Sequence, residues 1–191
     1  MNDVQNANQI RGRAIGALFF TGFGALWVLL ALYALQRIGA TAIAGVVLVA
    51  AMLLSGSLWL LRMAKELPSV PDDPAKGRVF MRINAIQWIA IAVVAFSFAR
   101  LHIDAYVMNA IAGIVGLHMF PLARLFRYPL HYLTGSLLVA WAAGSALFVP
   151  ADHLQGIASL GTGAILWLSA VTTLGIAFQV TRQSTSTASN E

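Results

Sequence analysis

Six stretches of the chain contain no Asp, Glu, Lys or Arg: Ala14–Leu35, Ala40–Leu61, Ile83–Ala99, Ala105–Ala123, Tyr132–Ala151 and Leu154–Thr181. Short polar or charged segments separate them. Roughly 20 apolar residues cross a bilayer as a helix, with a range of about 17–25. Each run therefore predicts a span, although Ile83–Ala99 is at the short end and Leu154–Thr181 overshoots the hydrocarbon. Lipid offers backbone groups no partner, so such runs must be helical. A barrel would instead show segments of about ten alternating residues, and none occurs. The pattern predicts an all-α integral membrane protein, a six-helix bundle at residues 14–181. It is flanked by a polar N-terminal segment, 1–13, and a Ser/Thr-rich tail, 182–191, that reads as disordered. Ala14–Leu35 is too long for a signal-peptide core of about 7–15 residues, and reads as a retained first helix.

The connections sharpen the arrangement. Gln36–Gly39, Arg100–Asp104 and Asp152–His153 are tight turns, which groups the helices into three hairpins. Arg62–Arg82, with Pro68, Pro71 and Pro74, reads as one extended loop, and Arg124–His131 as another. Three similar triplets, Ile43-Ala44-Gly45, Ile111-Ala112-Gly113 and Gly156-Ile157-Ala158, leave open a threefold hairpin repeat. Small residues recur at helical spacing: Ser136, Ala140 and Gly144; Gly12 and Gly16; Ser159 and Gly163. Such faces let helices approach closely in lipid, and a homodimer is the assembly they allow.

Charge then orients the chain. The chain carries 12 Lys and Arg and a net charge of +5, with only 10% charged residues and 59% hydrophobic ones. A soluble domain carries about 25% charge, and no basic soluble region exists to bind nucleic acid. Ten of the 12 basic residues fall in the N-terminal segment, the Arg62–Arg82 and Arg124–His131 loops and the tail; only Arg37 and Arg100 fall on the other side. The positive-inside rule places both termini in the cytoplasm. The layout is common among small bacterial membrane proteins, which points to a bacterial inner membrane.

Candidate chemistry collects in residues 113–132, GIVGLHMFPLARLFRYPLHY. His118 is an ionisable side chain inside a span, which is a functional hypothesis by default. Pro121 lacks an N–H for the Leu117 carbonyl and favours a kink beside it. Arg124, Arg127 and His131 follow at spacings of three and four, on one helical face unless Pro129 breaks it. Two arginines offer forked donors to a phosphate or carboxylate. Alternatively they are topology charges on lipid headgroups, with Tyr128 and Tyr132 as interfacial anchors. In the third helix, Asn84 and Gln87 lie three apart at the depth of His118 and should face the bundle.

Absences narrow the chemistry. The chain has no cysteine, which excludes thiolate metal sites and disulfides. All seven acidic residues, Asp3, Glu66, Asp72, Asp73, Asp104, Asp152 and Glu191, lie outside the apolar runs. An embedded carboxylate for proton-coupled transport is therefore missing. No HExxH, GxSxG or P-loop motif occurs, and Ser55, Ser57 and Ser97 read as hydroxyls bonding back to their own helices. His102, Asp104, Asp152 and His153 in two outer turns match metal-ligand spacing poorly, and Asp104 and Asp152 read as helix N-caps. No metal or cofactor is expected. The reading these residues favour is a non-enzymatic membrane protein. It has an anion or lipid-headgroup site on the cytoplasmic side, formed by His118, Arg124, Arg127 and His131 with Asn84 and Gln87 behind them. Its partners are membrane lipids, anionic ones foremost. A small dimeric permease with a pathway near His118, and a membrane enzyme acting on a lipid or quinone, are the alternatives.

Overall fold

The computed structural model describes the backbone of residues 2–66 and 73–188 and the side chains of residues 8–65 and 73–180. Six α-helices follow in order: α1 (Asn2–Ala34), α2 (Ala40–Glu66), α3 (Pro74–Arg100), α4 (Val107–Phe126), α5 (Leu130–Phe148) and α6 (Ala151–Ala188). A single 3-10 turn, Asp104–Tyr106, precedes α4, and no strand occurs among the described residues. All six helices are long and apolar enough to cross a membrane. This is the architecture of an integral membrane protein.

Several helices outrun their apolar cores. Pro74–Arg82, expected in an extended loop, is the start of α3. Asp73 caps it by accepting a hydrogen bond from the Ala75 amide at 2.8 Å, and Pro74 occupies the first turn. An Asp–Pro pair is a helix start, because the carboxylate satisfies a free N–H and proline needs none. Pro68 and Pro71 lie outside the described residues. The tail expected to be disordered continues α6 as far as Ala188, since no Pro or Gly interrupts it. Asp152 lies inside the first turn of α6, not at its cap, and Asp104 opens the 3-10 turn without capping α4.

Three of the turns share one device. Gln36, His102 and Arg127 adopt left-handed backbone, with φ of 54°, 56° and 50°. After each, an amide reaches back five residues: Arg37 to Leu32 O (2.8 Å), Ile103 to Phe98 O (3.0 Å) and Tyr128 to Ala123 O (3.1 Å). This bond closes α1, α3 and α4.

Neighbours in sequence do touch, but the most extensive packing joins α1 to α6 and α4 to α5. The reason is glycine. A Cβ placed on Gly116 would lie 2.9 Å from the Gly135 carbonyl, and one on Gly135 would lie 2.7 Å from the Gly116 carbonyl. Across α1 and α6, a Cβ on Gly163 would lie 2.9 Å from the Gly24 carbonyl. Only missing side chains permit such backbone approach. Phe20, Trp27, Met119, Leu122, Leu138 and Leu166 fill the space between the two pairs. At the basic end, Ile10, Ala14, Leu60, Ala64 and Leu174 form a second cluster.

By contrast, α2 and α3 are peripheral. No residue of α3 is buried, and Met81, Ile86, Trp88, Ile89, Val93 and Phe96 point outward. The expected stripe of Ser136, Ala140 and Gly144 does not pack inside the bundle. Ser136 and Ala140 are exposed, and a Cβ on Gly144 meets nothing within 4 Å. The inward face of α5 is His131, Thr134, Gly135, Leu138, Ala142 and Ser145. Gly12 and Gly16 likewise face open space, whereas Ser159 and Gly163 are buried. The three repeat-like glycines sit in unlike places: Gly45 meets nothing, Gly113 meets Ala142 and Gly156 meets Leu35.

Gly135→Ala is expected to destabilise the bundle by about 1–3 kcal/mol through overpacking. Gly144→Ala should be neutral or stabilising, because it adds helix propensity in open space. Thermal unfolding in detergent, followed by tryptophan fluorescence, separates the two; equal midpoints would contradict the close α4/α5 approach.

Candidate functional site

The residues singled out in the sequence fall into three places. The first lies between α3 and α4. His118 Nε2 is 3.1 Å from Asn84 Oδ1, so the ring N–H donates to the amide carbonyl and Nδ1 is left as an acceptor. Nδ1 is buried and has no partner. The match in depth expected for Asn84 and His118 is thus a direct hydrogen bond across the helix pair. Gln87, one turn on, is half-buried. It points to the same side without a hydrogen bond among those found for the described residues.

The second place is a groove on the same seam, one to two turns nearer the basic end. Its volume is about 610 Å³, and Val79 and Ile83 of α3 and Phe120, Pro121, Arg124 and Leu125 of α4 line it. Five of these six are apolar. The sixth, Arg124, is exposed, and no carboxylate among the described residues pairs with it. Pro121 sits within α4, so the Leu117 carbonyl has no N–H from the next turn. Phe80 and Phe126 close the basic end of the seam, ring against ring at 5.9 Å.

Arg127 does not belong to this groove. Helix α4 ends at Phe126, and Arg127 takes the left-handed cap position, φ 50° and ψ 42°. Arg127 is exposed at this turn and is not among the residues that line the groove. The helix closes one residue before the proline signal at Pro129 suggested.

The third place holds His131, on the inner side of α5. It is 9% exposed, with Phe20, Phe126 and Tyr128 around its ring at centroid distances of 5.7, 6.5 and 5.1 Å. Its Nδ1 is buried without a partner. It is not among the residues that line the α3/α4 groove, although it lies near enough to His118 for the two imidazoles to interact electrostatically.

Other polar groups pair outside these three places. Arg13 lies with its Cζ 5.6 Å from the centroid of the Tyr128 ring, and the Tyr128 hydroxyl donates to Thr173 Oγ1 at 3.4 Å. Deeper in the bundle, Thr134 and Ser169 hydroxyls bond at 2.8 Å, and Asn109 donates to Ser145 Oγ at 2.6 Å. Asn109 was legible: an amide inside an apolar run turns toward another helix. Ser55 and Ser57 bond back to Ala51 and Leu53 carbonyls. At the opposite end, Asp152 and His153 lie 3.6 Å apart and Gln155 donates to the Asp104 carbonyl at 2.8 Å. Among the described residues, no three His, Asp or Glu side chains come close enough to hold a metal.

Comparison with protein-family models, curated proteins and solved structures found no match to this chain.

Asn84→Leu is expected to strip His118 of its one hydrogen bond, at about 1–3 kcal/mol for a group left unsatisfied. The imidazole ¹⁵N resonances of His118 should move in Asn84→Leu and stay in place in Gln87→Leu. Identical spectra for Asn84→Leu and the unsubstituted protein would contradict the pairing.

Proposed function

We propose that this is a non-enzymatic membrane protein that binds an anionic phospholipid in the α3/α4 groove, with the arginine-rich end in the cytoplasm. The observation that carries the reading is the groove itself: an apolar trough against lipid, ended by one unpaired guanidinium, Arg124. An acyl chain fits beside Val79, Ile83, Phe120 and Leu125. A phosphodiester at the interface meets Arg124, whose planar fork suits two phosphate oxygens. Tyr132, exposed at this level, suits the headgroup boundary, where amphipathic rings settle.

The charge distribution supports the orientation. Arg62 and Lys65 end α2, Lys76, Arg78 and Arg82 begin α3, and Arg124 ends α4. Contacts between Ile10, Leu60 and Leu174, and between Phe80 and Phe126, gather these helix ends at one end of the bundle. Basic residues concentrate on cytoplasmic loops, where anionic lipids attract them.

The seam below the groove explains why α3 forms one wall. With nothing buried, α3 has little to hold it against α4 beyond apolar contact and the Asn84–His118 hydrogen bond. A lipid chain completes the seam.

Native mass spectrometry from mild detergent tests the reading. Arg124→Gln is expected to lose co-purifying phosphatidylglycerol by roughly ten- to hundredfold in affinity, the worth of a charged hydrogen bond at about 1.5–3 kcal/mol. Arg127→Gln should retain it. Retention in Arg124→Gln equal to that of the unsubstituted protein would sink the proposal.

A further inference from the structure

We propose a second oxyanion site at the basic end, between α1, α5 and α6, organised by Arg13 with Tyr128 and His131 behind it. The site takes a phosphate or carboxylate group. It stands apart from the α3/α4 groove and does not rest on it.

The position of Arg13 is the first ground. Ile10, Ala14 and Ala17, which flank it on α1, are all buried, so Arg13 belongs to the inward stripe of α1. An arginine that served only to anchor α1 at the interface would snorkel outward along the lipid face. Instead its guanidinium lies over Tyr128, 5.6 Å from the ring centroid, on the segment that links α4 to α5.

Unmet hydrogen bonding is the second ground. Nη2 of Arg13 donates to Gln9 Oε1 over a long 3.4 Å. Nη1 is buried and has no acceptor. Arginine stays protonated and carries five donors in a fixed fork. A buried donor without an acceptor is destabilising, and structures rarely leave one. No carboxylate among the described residues pairs with Arg13. The acceptor that satisfies such a fork is a group with two oxygens and negative charge.

The third ground lies behind the tyrosine. His131, 9% exposed, stands edge-on to the Tyr128 ring at 5.1 Å, and its Nδ1 also lacks a partner. On its other side the Tyr128 hydroxyl makes a similarly long 3.4 Å contact with Thr173 Oγ1. Two buried, unpartnered nitrogens thus flank one ring. Gln9 is exposed, so an anion reaches the guanidinium by replacing the long Gln9 contact.

The test uses the full chain. In delipidated detergent micelles, inorganic phosphate is titrated against chloride at equal ionic strength while tryptophan fluorescence follows thermal unfolding. In a parallel arm, native mass spectrometry from nanodiscs compares phosphatidylglycerol with phosphatidylcholine. Phosphate-dependent stabilisation of the unsubstituted protein and of Arg124→Gln, weakened at least ~10-fold in Arg13→Gln as expected for one lost charged hydrogen bond, identifies a free anion site. Phosphatidylglycerol retained by Arg124→Gln but not by Arg13→Gln, with no effect of inorganic phosphate, identifies a headgroup site. If Arg13→Gln does not fold, Arg13→Lys replaces it: it keeps the charge and loses the fork, and should still bind more weakly. Binding unchanged in the Arg13 variant, or absent from the unsubstituted protein in both arms, overturns the proposal.

Discussion

Inside a bilayer, an apolar side chain gains little by exchanging an acyl-chain neighbour for a protein one. Helices are held together by close van der Waals approach and by the few hydrogen bonds that cross between them. In this protein the approach is made by glycines. Gly116 faces Gly135, and Gly24 faces Gly163, each at a distance that leaves no room for a Cβ. Those contacts fix α4 to α5 and α1 to α6. Hydroxyl and amide bonds then add to the interior, Thr134 to Ser169 and Asn109 to Ser145.

The same constraint explains why the remaining two helices differ. Helix α3 has no glycine contact with α4; its one glycine, Gly77, meets nothing within 4 Å. It therefore lies against α4 through larger side chains and leaves a trough between them. Val79, Ile83, Phe120 and Leu125 line the trough, and Pro121 removes a backbone hydrogen bond beside it. The trough thus has apolar walls with a guanidinium at one end.

Much of the fold was legible because lipid imposes simple demands. Long uncharged runs must be helices, and the runs at Ala14–Leu35, Ala40–Leu61, Ile83–Ala99, Ala105–Ala123, Tyr132–Ala151 and Leu154–Thr181 each fall largely within one helix. Apolar runs mark where lipid is, not where helices end, so Pro74 and the Asp73 cap were read as loop although they form a helix start. Which small-residue stripe packs inward was not legible. Ser136, Ala140 and Gly144 look as suitable as Gly135, Ala142 and Ser145, and only the partner helix decides. The site was legible in part. Asn84 and His118 meet as their depth suggested. Arg127 takes a left-handed cap after α4 and His131 is buried on α5, and neither lines the groove beside Arg124. Spacing along a sequence cannot reveal a turn of that kind when the residue adopting it is arginine, where glycine is usual.

The most direct test of this account is to ask where a lipid rests. Phosphatidylglycerol with a photoreactive group in its acyl chain would be crosslinked to the protein in nanodiscs and the attachment points mapped by peptide sequencing. The account predicts adducts concentrated at Val79, Ile83, Phe120 and Leu125. Adducts spread with equal frequency over outward residues of α2, such as Met52 and Leu58, would contradict it and leave Arg124 as one more charge at the basic end of the bundle.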